Sequence, residues 1–160
     1  EDVAKGVAMQ VAAMSPIALN AASVPQDVKD TETKNAVEKA KQNQIAKAVE
    51  AALKKAGINP AHVDSEDHIE SNTAKGWITP EDAAKAREIK ATVAQEAEAN
   101  LKEQMIQNIA NGMVAKFYKE SCLLEQAYID DNKISVAQYL QNIDKELTVT
   151  DFKRFTLRAE

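Results

Sequence analysis

The sequence has few of the residues that mark catalytic, cofactor-binding or membrane-spanning segments. It contains one cysteine, four glycines, four prolines and two histidines in 160 residues, and aromatic residues make up 4%. One cysteine cannot form an internal disulfide, and four glycines leave little room for a phosphate-cradling loop. No stretch approaches the ~20 apolar residues of a membrane span, and no basic-then-apolar signal segment is present. These absences argue against a nucleotide-binding loop and against a membrane protein.

The charge balance argues against nucleic acid as the main partner. The formal net charge is −5, charged residues make up 28%, and no basic run occurs. A phosphate-backbone binder normally presents a net basic face. The composition therefore predicts a soluble, cytoplasmic protein without a nucleic-acid partner. The chain opens with Glu1 rather than methionine, which favours a piece of a longer protein.

Helical periodicity predicts a predominantly helical α+β fold. A first helix is expected from Val3 to Met14, apolar almost all round and therefore buried. A long helix is expected from Pro25 to a C-cap at Gly57, and a second long helix begins at Thr79. Two amphipathic helices joined by a compact connector predict a long projecting antiparallel hairpin. This hairpin would accompany a small antiparallel sheet with packed helices.

The C-terminal third mixes a turn, a capped helix and a strand. Residues 130–133 are a turn by composition, and Ser135-Val-Ala-Gln138 is a capping box. From Leu147 the pattern alternates, with Phe155 and Leu157 on one parity, which predicts a strand with one buried face. Because a lone strand is unstable, it needs partners. Residues 17–19 and 127–129 could supply them, or segments before residue 1, and both sources stay open.

No set of side chains combines an acid, a base and a nucleophile. Cys122 is followed by two leucines, which favours a buried apolar position over a nucleophile by roughly ten to one. His62 and His68 lie among acids, but their spacing fits no helical ligand pair, and we weigh metal binding at roughly one in twenty. Trp77 is expected to plug the space between the connector and the hairpin. The residues alone predict a non-catalytic interaction module with no cofactor.

Two separated segments resemble the C-terminal half of bacterial elongation factor Ts, in the family's order. The first segment is Ala4-Lys-Gly-Val-Ala-Met-Gln-Val-Ala-Ala-Met14 with Ser15-Pro16 and Val24-Pro25. The second comprises Lys116-Phe-Tyr-Lys-Glu120, Leu123-Leu-Glu-Gln126, Ser135-Val-Ala-Gln-Tyr-Leu140 and Leu147-Thr-Val-Thr-Asp-Phe-Lys-Arg-Phe155. The resemblance implies a C-terminal core subdomain formed by 1-28 and 104-160. It also implies a helical hairpin insertion of the dimerisation type over 29-103, longer than the usual family version.

The resemblance implies a fragment of a guanine-nucleotide exchange factor whose partner is elongation factor Tu, in its GDP form and nucleotide-free. The family's disruptive element is a Thr-Asp-Phe-Val finger. This chain has Thr150-Asp151-Phe152 followed by Lys153, in the context of the family's terminal strand, so the exchange role is not carried over. The resemblance leaves the docking half, without enzymatic activity.

By the same resemblance, Tyr128, Ile129 and Asp130 occupy the position of a family contact loop. Two large side chains before a charged turn can present an anchor with a polar rim. Burial of Tyr128 and Ile129 as core strand residues is an equally weighted alternative. A functional alternative from another class is a structural module that self-associates as a homodimer through its coiled-coil hairpin.

Overall fold

The structure is a computed structural model that describes residues 1–158. It confirms a mostly helical fold with one two-stranded antiparallel sheet. The helices are α1 (Asp2–Met14), α2 (Gln26–Lys55), α3 (Glu66–Ala74), α4 (Pro80–Ala99), α5 (Glu103–Ser121) and α6 (Val136–Ile143). The strands are β1 (Ala127–Tyr128) and β2 (Asp131–Ser135), and short 3₁₀ turns span Ala21–Ser23 and Pro60–His62.

The chain divides into two compact units. The first unit comprises Glu1–Asn35 and Asn111–Glu160, and the second comprises Ala36–Ala110. Both divisions fall inside helices, one in α2 and the other in α5. The boundaries implied by the resemblance, after residue 28 and after residue 103, lie in the same two helices. The roles given to those segments remain predictions.

The first unit is built around α1, the β1–β2 hairpin and α6. Its main apolar cluster consists of Val7, Val11, Leu123, Tyr128, Val136 and Leu140. Within α1 only Val7, Gln10 and Val11 are buried, whereas Met9 and Met14 are about half exposed. The expectation of a helix buried all round is therefore wrong, since α1 buries only one face.

Two short segments of the first unit differ from the sequence prediction. The expected strand at residues 17–19 forms only an isolated parallel bridge, between Ala18 and Cys122. The expected turn at 130–133 is mostly strand, because β2 begins at Asp131 and the turn consists of Ile129 and Asp130. The turn-forming residues are thus tolerated in an exposed edge strand, where side chains reach solvent on both sides.

The predicted strand at the C-terminus does not form. From Leu147 to Phe155 the chain runs without assigned helix or strand, and the Phe155 side chain is 91% exposed. Leu157 is fully exposed as well. Val149 and Phe152, which lie on opposite parities, both pack against the main cluster instead. The alternation was misleading because, within residues 1–158, no strand pairs with this segment to fix which face is inside.

The second unit has its own apolar cluster, contributed by the end of α2, by α3 and by the start of α4. Its buried members are Leu53, Ile58, Val63, Ile69, Ile78, Ala83 and Ala86. Gly57 adopts φ +77°, and the Ile58 N–H donates to the Leu53 carbonyl at 3.0 Å. This pattern is a Schellman cap that returns Ile58 to the cluster. The predicted glycine cap is confirmed.

Trp77 is not the predicted plug. Its side chain is 62% exposed and lies beside the His62 ring, with ring centroids 5.8 Å apart. The Lys75 ammonium lies 5.1 Å from the Trp77 ring centroid. The turn at Gly76, with φ +74°, directs Ile78 rather than Trp77 into the cluster. A buried position is therefore taken by the smaller neighbour.

Candidate partner-docking site

The segment Tyr128–Asp130 lies at the tip of the β1–β2 hairpin. Tyr128 pairs with Asp131, so Ile129 and Asp130 form a two-residue turn. The register then shifts, since Ala127 pairs with Ser135. Tyr128 is buried, Ile129 is half-buried and Asp130 is exposed. The structure thus brings the three candidate residues together, and their exposure increases from Tyr128 to Asp130.

The Tyr128 ring packs against two neighbours in the first unit, Tyr139 and Gly6. It stacks on the Tyr139 ring with centroids 4.0 Å apart and planes 9° from parallel. Gly6 of α1 approaches so closely that an added Cβ would lie 2.7 Å from the Tyr128 hydroxyl oxygen. Of the two interpretations of this residue, burial in the core describes the ring. Any contact surface at the tip is therefore formed by Ile129 and Asp130, with Tyr128 beneath them.

The Tyr128 hydroxyl ties the buried ring to the exposed carboxylate. It donates to Oδ2 of Asp130 at 3.3 Å. The hydrogen bond with Tyr139, together with burial and the nearby Asp130 charge, raises the pKa of Tyr128 to about 12. The phenol is therefore neutral at physiological pH and acts as a hydrogen-bond donor.

A buried pair of amides holds the backbone of the hairpin. Gln10 and Gln126 are 0% and 1% exposed. The Ile129 N–H donates to Gln10 Oε1 at 2.8 Å, and Gln10 Nε2 donates to the Ala127 carbonyl at 2.9 Å. Sequence reasoning missed this pair. The available signal was a polar residue at position 10 on the same helical face as Val7 and Val11.

The same unit also contains an apolar groove of about 690 Å³. It runs between α1 and the C-terminal segment, and its walls include Val7, Val11, Val149 and Phe152. Among the described residues that line it there is no histidine or cysteine. The groove therefore offers mainly apolar contact, and the carboxylates of Glu1 and Asp151 and the amine of Lys153 also line it.

The remaining candidates for chemistry do not converge. Cys122 is fully buried, and this burial raises the pKa of its thiol to about 11, so the sequence prediction of an inert apolar position is confirmed. The His68 ring is hydrogen-bonded to Asp64, which lowers the pKa of that carboxyl, and Glu66 pairs with Arg87.

Residues 1–158 contain neither a candidate metal site nor a helix that could span a membrane. No group of three or more potential metal ligands occurs in this part of the chain. No helix there combines the length and apolar character needed to cross a membrane.

Comparison with known proteins gives one consistent result. A family model for elongation factor Ts matches residues 1–159. Elongation factor Ts of Bacteroides fragilis is 65% identical over 160 residues, covering 100% of this chain and 48% of that protein. Elongation factor Ts of Phocaeicola vulgatus is 61% identical and covers 100% of this chain and 49% of that protein. Elongation factor Ts of Flavobacterium psychrophilum is 32% identical, with coverages of 98% and 37%.

The matches show how much of each relative this chain covers and that its second unit is part of the matched region. The chain spans about half the length of the curated relatives it matches. Because the match with the Bacteroides fragilis protein covers the whole chain, residues 36–110 are shared with that relative. No solved structure matches the chain significantly.

Proposed function

The chain belongs to the elongation factor Ts family, and on this premise we propose that it supplies the partner-docking half of a guanine-nucleotide exchange factor for elongation factor Tu. In this proposal it is not an enzyme, and it docks through the segment Tyr128, Ile129 and Asp130, in which Ile129 and Asp130 make the contact and the buried Tyr128 supports them. Its partner is elongation factor Tu in the GDP-bound and nucleotide-free forms, in the cytoplasm.

The observation that carries the proposal is the construction of the hairpin tip. A half-buried Ile129 beside an exposed Asp130 offers an apolar contact with a charged rim. The stacked Tyr128 beneath them is fixed before binding, so little side-chain freedom is lost on docking. This arrangement supports recognition of a protein surface rather than catalysis.

The segment Thr150–Phe152 supports docking without the exchange step. Phe152 is half-buried and packs against the main cluster of the first unit. Its N–H is bonded to the Asp151 side chain at 2.8 Å. A half-buried side chain of this kind is not available to insert into a partner. The residue after it is Lys153, whereas the finger motif of the family has valine at that point. We therefore place the exchange element outside this chain.

Two measurements with purified elongation factor Tu test the proposal. Calorimetric titration should detect binding of the chain, whereas release of fluorescently labelled GDP should barely accelerate. Ile129→Ala and Asp130→Ala should each weaken binding by about tenfold, a typical loss for a central contact. Trp77→Ala, an exposed change in the second unit, serves as the control. Full-rate GDP release would overturn the docking-only role.

Self-association through residues 29–103 is the alternative, and one feature of the second unit favours it. A groove of about 660 Å³ is walled by half-buried Ile45 and Val49 of α2 together with Ala94 of α4. Sedimentation of the chain would show a dimer, and Ile45→Asp would dissociate it by placing a charge in the groove. Lys41→Asp, an exposed change on the same helix, is the matched control. A monomer at all concentrations would refute this alternative.

A further inference from the structure

The buried amides Gln10 and Gln126 are the strongest feature that the proposed function does not yet use. We propose that they are positioning residues, which hold Ile129 and Asp130 in the geometry that docks onto the partner. The inference rests on the proposed docking function. A purely structural role would stabilise the whole unit, whereas a positioning role acts on the backbone of residues 127–129, to which Gln10 is bonded.

The bonds of Gln10 converge on that segment. Its Oε1 accepts from the Ile129 N–H at 2.8 Å, and its Nε2 donates to the carbonyl of Ala127 at 2.9 Å. Both backbone groups flank Tyr128. One side chain from α1 therefore fixes the hairpin on either side of the residue that leads into the turn.

Gln126 anchors Gln10 in turn. Its Oε1 accepts from Gln10 Nε2 at 3.2 Å. Its own Nε2 donates to the carbonyl oxygens of Glu120 at 2.8 Å and Met14 at 3.3 Å. These carbonyls lie near the C-terminal ends of α5 and α1. The pair thus ties the hairpin to two helix ends, where carbonyl groups lack partners within the helix.

The hairpin needs this support because its strand ladder is short. β1 has only two residues, and its register with β2 shifts between Ala127 and Tyr128. A two-stranded hairpin is marginally stable by itself in water. Buried polar groups are retained only when they are hydrogen-bonded, since an unpaired group carries a desolvation penalty. The fully bonded amides therefore favour one arrangement of the turn over its alternatives.

Hydrogen exchange in the free chain tests the positioning without any partner. Gln10→Met keeps the side-chain length and removes both bonds to the hairpin. The Ile129 amide should then exchange about tenfold faster or more, as expected for the loss of a buried hydrogen bond. Gln10→Glu keeps an acceptor for that amide and should protect it better than Gln10→Met does. Val24→Ala, in a separate apolar cluster of the same unit, should leave Ile129 exchange unchanged.

A double-mutant cycle on binding to elongation factor Tu tests the docking role. Gln10→Met alone should weaken binding by about tenfold. In the Ile129→Ala background it should have little further effect, because the contact that it positions is already lost. Val24→Ala is the control, and it should change the binding free energy by the same amount in the unaltered chain and in the Ile129→Ala variant. Circular dichroism of each variant confirms that it is folded, and Gln10→Leu, which also removes both bonds to the hairpin, replaces Gln10→Met in the cycle if the latter is not.

The outcomes separate the two proposals. Faster exchange together with non-additive weakening supports the positioning role. Unchanged exchange, or additive weakening, overturns it. If the unaltered chain does not bind elongation factor Tu, the proposed function fails, while the exchange experiment still decides whether the amides position the turn.

Discussion

Ile69→Ala should destabilise the second unit more than Trp77→Ala, although tryptophan is by far the larger side chain. The Ile69 side chain is 1% exposed and lies in the cluster with Leu53 and Val63. Trp77 is 62% exposed. Stability follows the apolar area removed from water rather than the size of the residue, so the order of the two effects tests where the core lies.

The magnitudes follow from the surroundings of each side chain. Truncating a fully buried isoleucine to alanine costs about 2–5 kcal/mol of unfolding free energy, including the cavity that remains. Trp77 makes a tilted contact with His62 and lies under Lys75. An exposed cation–π contact contributes roughly 0.5–1 kcal/mol. We therefore expect a loss of about 1 kcal/mol or less for Trp77→Ala, since most of its surface is already in water.

Urea unfolding followed by far-ultraviolet circular dichroism measures both variants, and hydrogen exchange within residues 36–110 assigns the change to the second unit. The second measurement is needed because two units need not unfold as one. Ile69→Val is the graded control and should cost about 0.5–1.5 kcal/mol. A loss for Trp77→Ala that equals or exceeds the loss for Ile69→Ala would refute the placement of the core.

Three further predictions concern glycines and the buried thiol. Gly57→Ala should lower the free energy of unfolding by about 1 kcal/mol or more, because φ is +77° at this position. Gly112 lies inside α5 with open space around it, so Gly112→Ala should raise the free energy of unfolding by about 0.5–1 kcal/mol. Thermal unfolding measures both changes. Burial raises the pKa of Cys122 from 9.0 to about 11, so between these pH values only the unfolded thiol ionises and stability should fall relative to Cys122→Ala. The fall should approach about 2–3 kcal/mol at pH 11, and parallel pH-dependent curves would contradict it. Gly6→Ala places a methyl 2.7 Å from the Tyr128 hydroxyl oxygen and should cost about 1–3 kcal/mol; Tyr128→Phe should relieve most of that cost, because the next ring atom is 3.8 Å away.

Helix boundaries could be predicted because their signals are local. The side chains of Ser65 and Thr79 accept backbone N–H bonds three residues ahead, and Ser135 forms the full capping box with Gln138. Gly57 ends α2 through a conformation that suits glycine. Each of these signals involves residues within one turn of each other. The sequence therefore contains the whole cause of the structure at these positions.

The errors occur where packing against other segments, rather than the local pattern, decides which side chain is buried. The alternation around Phe155 predicts a buried face only if a neighbouring strand exists, and none pairs with it among the described residues. Trp77 is exposed because the turn at Gly76 directs Ile78 inward. Neither outcome follows from composition or period. The size of a side chain sets the free energy that its burial would contribute, but the tertiary contacts decide which residue is buried.

The candidate docking segment depends on local signals and on contacts with distant residues, and this determines how it should be tested. The Gln10–Ile129 bond joins residues 119 positions apart, so a local pattern could mark Gln10 as a polar residue on a buried face but could not identify its partner. Tyr128 is at once a core residue and a neighbour of the contact surface, so its truncation would lower stability and binding together and could not distinguish them. Asp130 is exposed, and its change to alanine removes a surface charge and the 3.3 Å bond from the Tyr128 hydroxyl, while the ring keeps its stacking on Tyr139. Loss of binding in Asp130→Ala with unchanged unfolding would therefore assign recognition to the tip itself, and Gln10→Met would then report on its positioning.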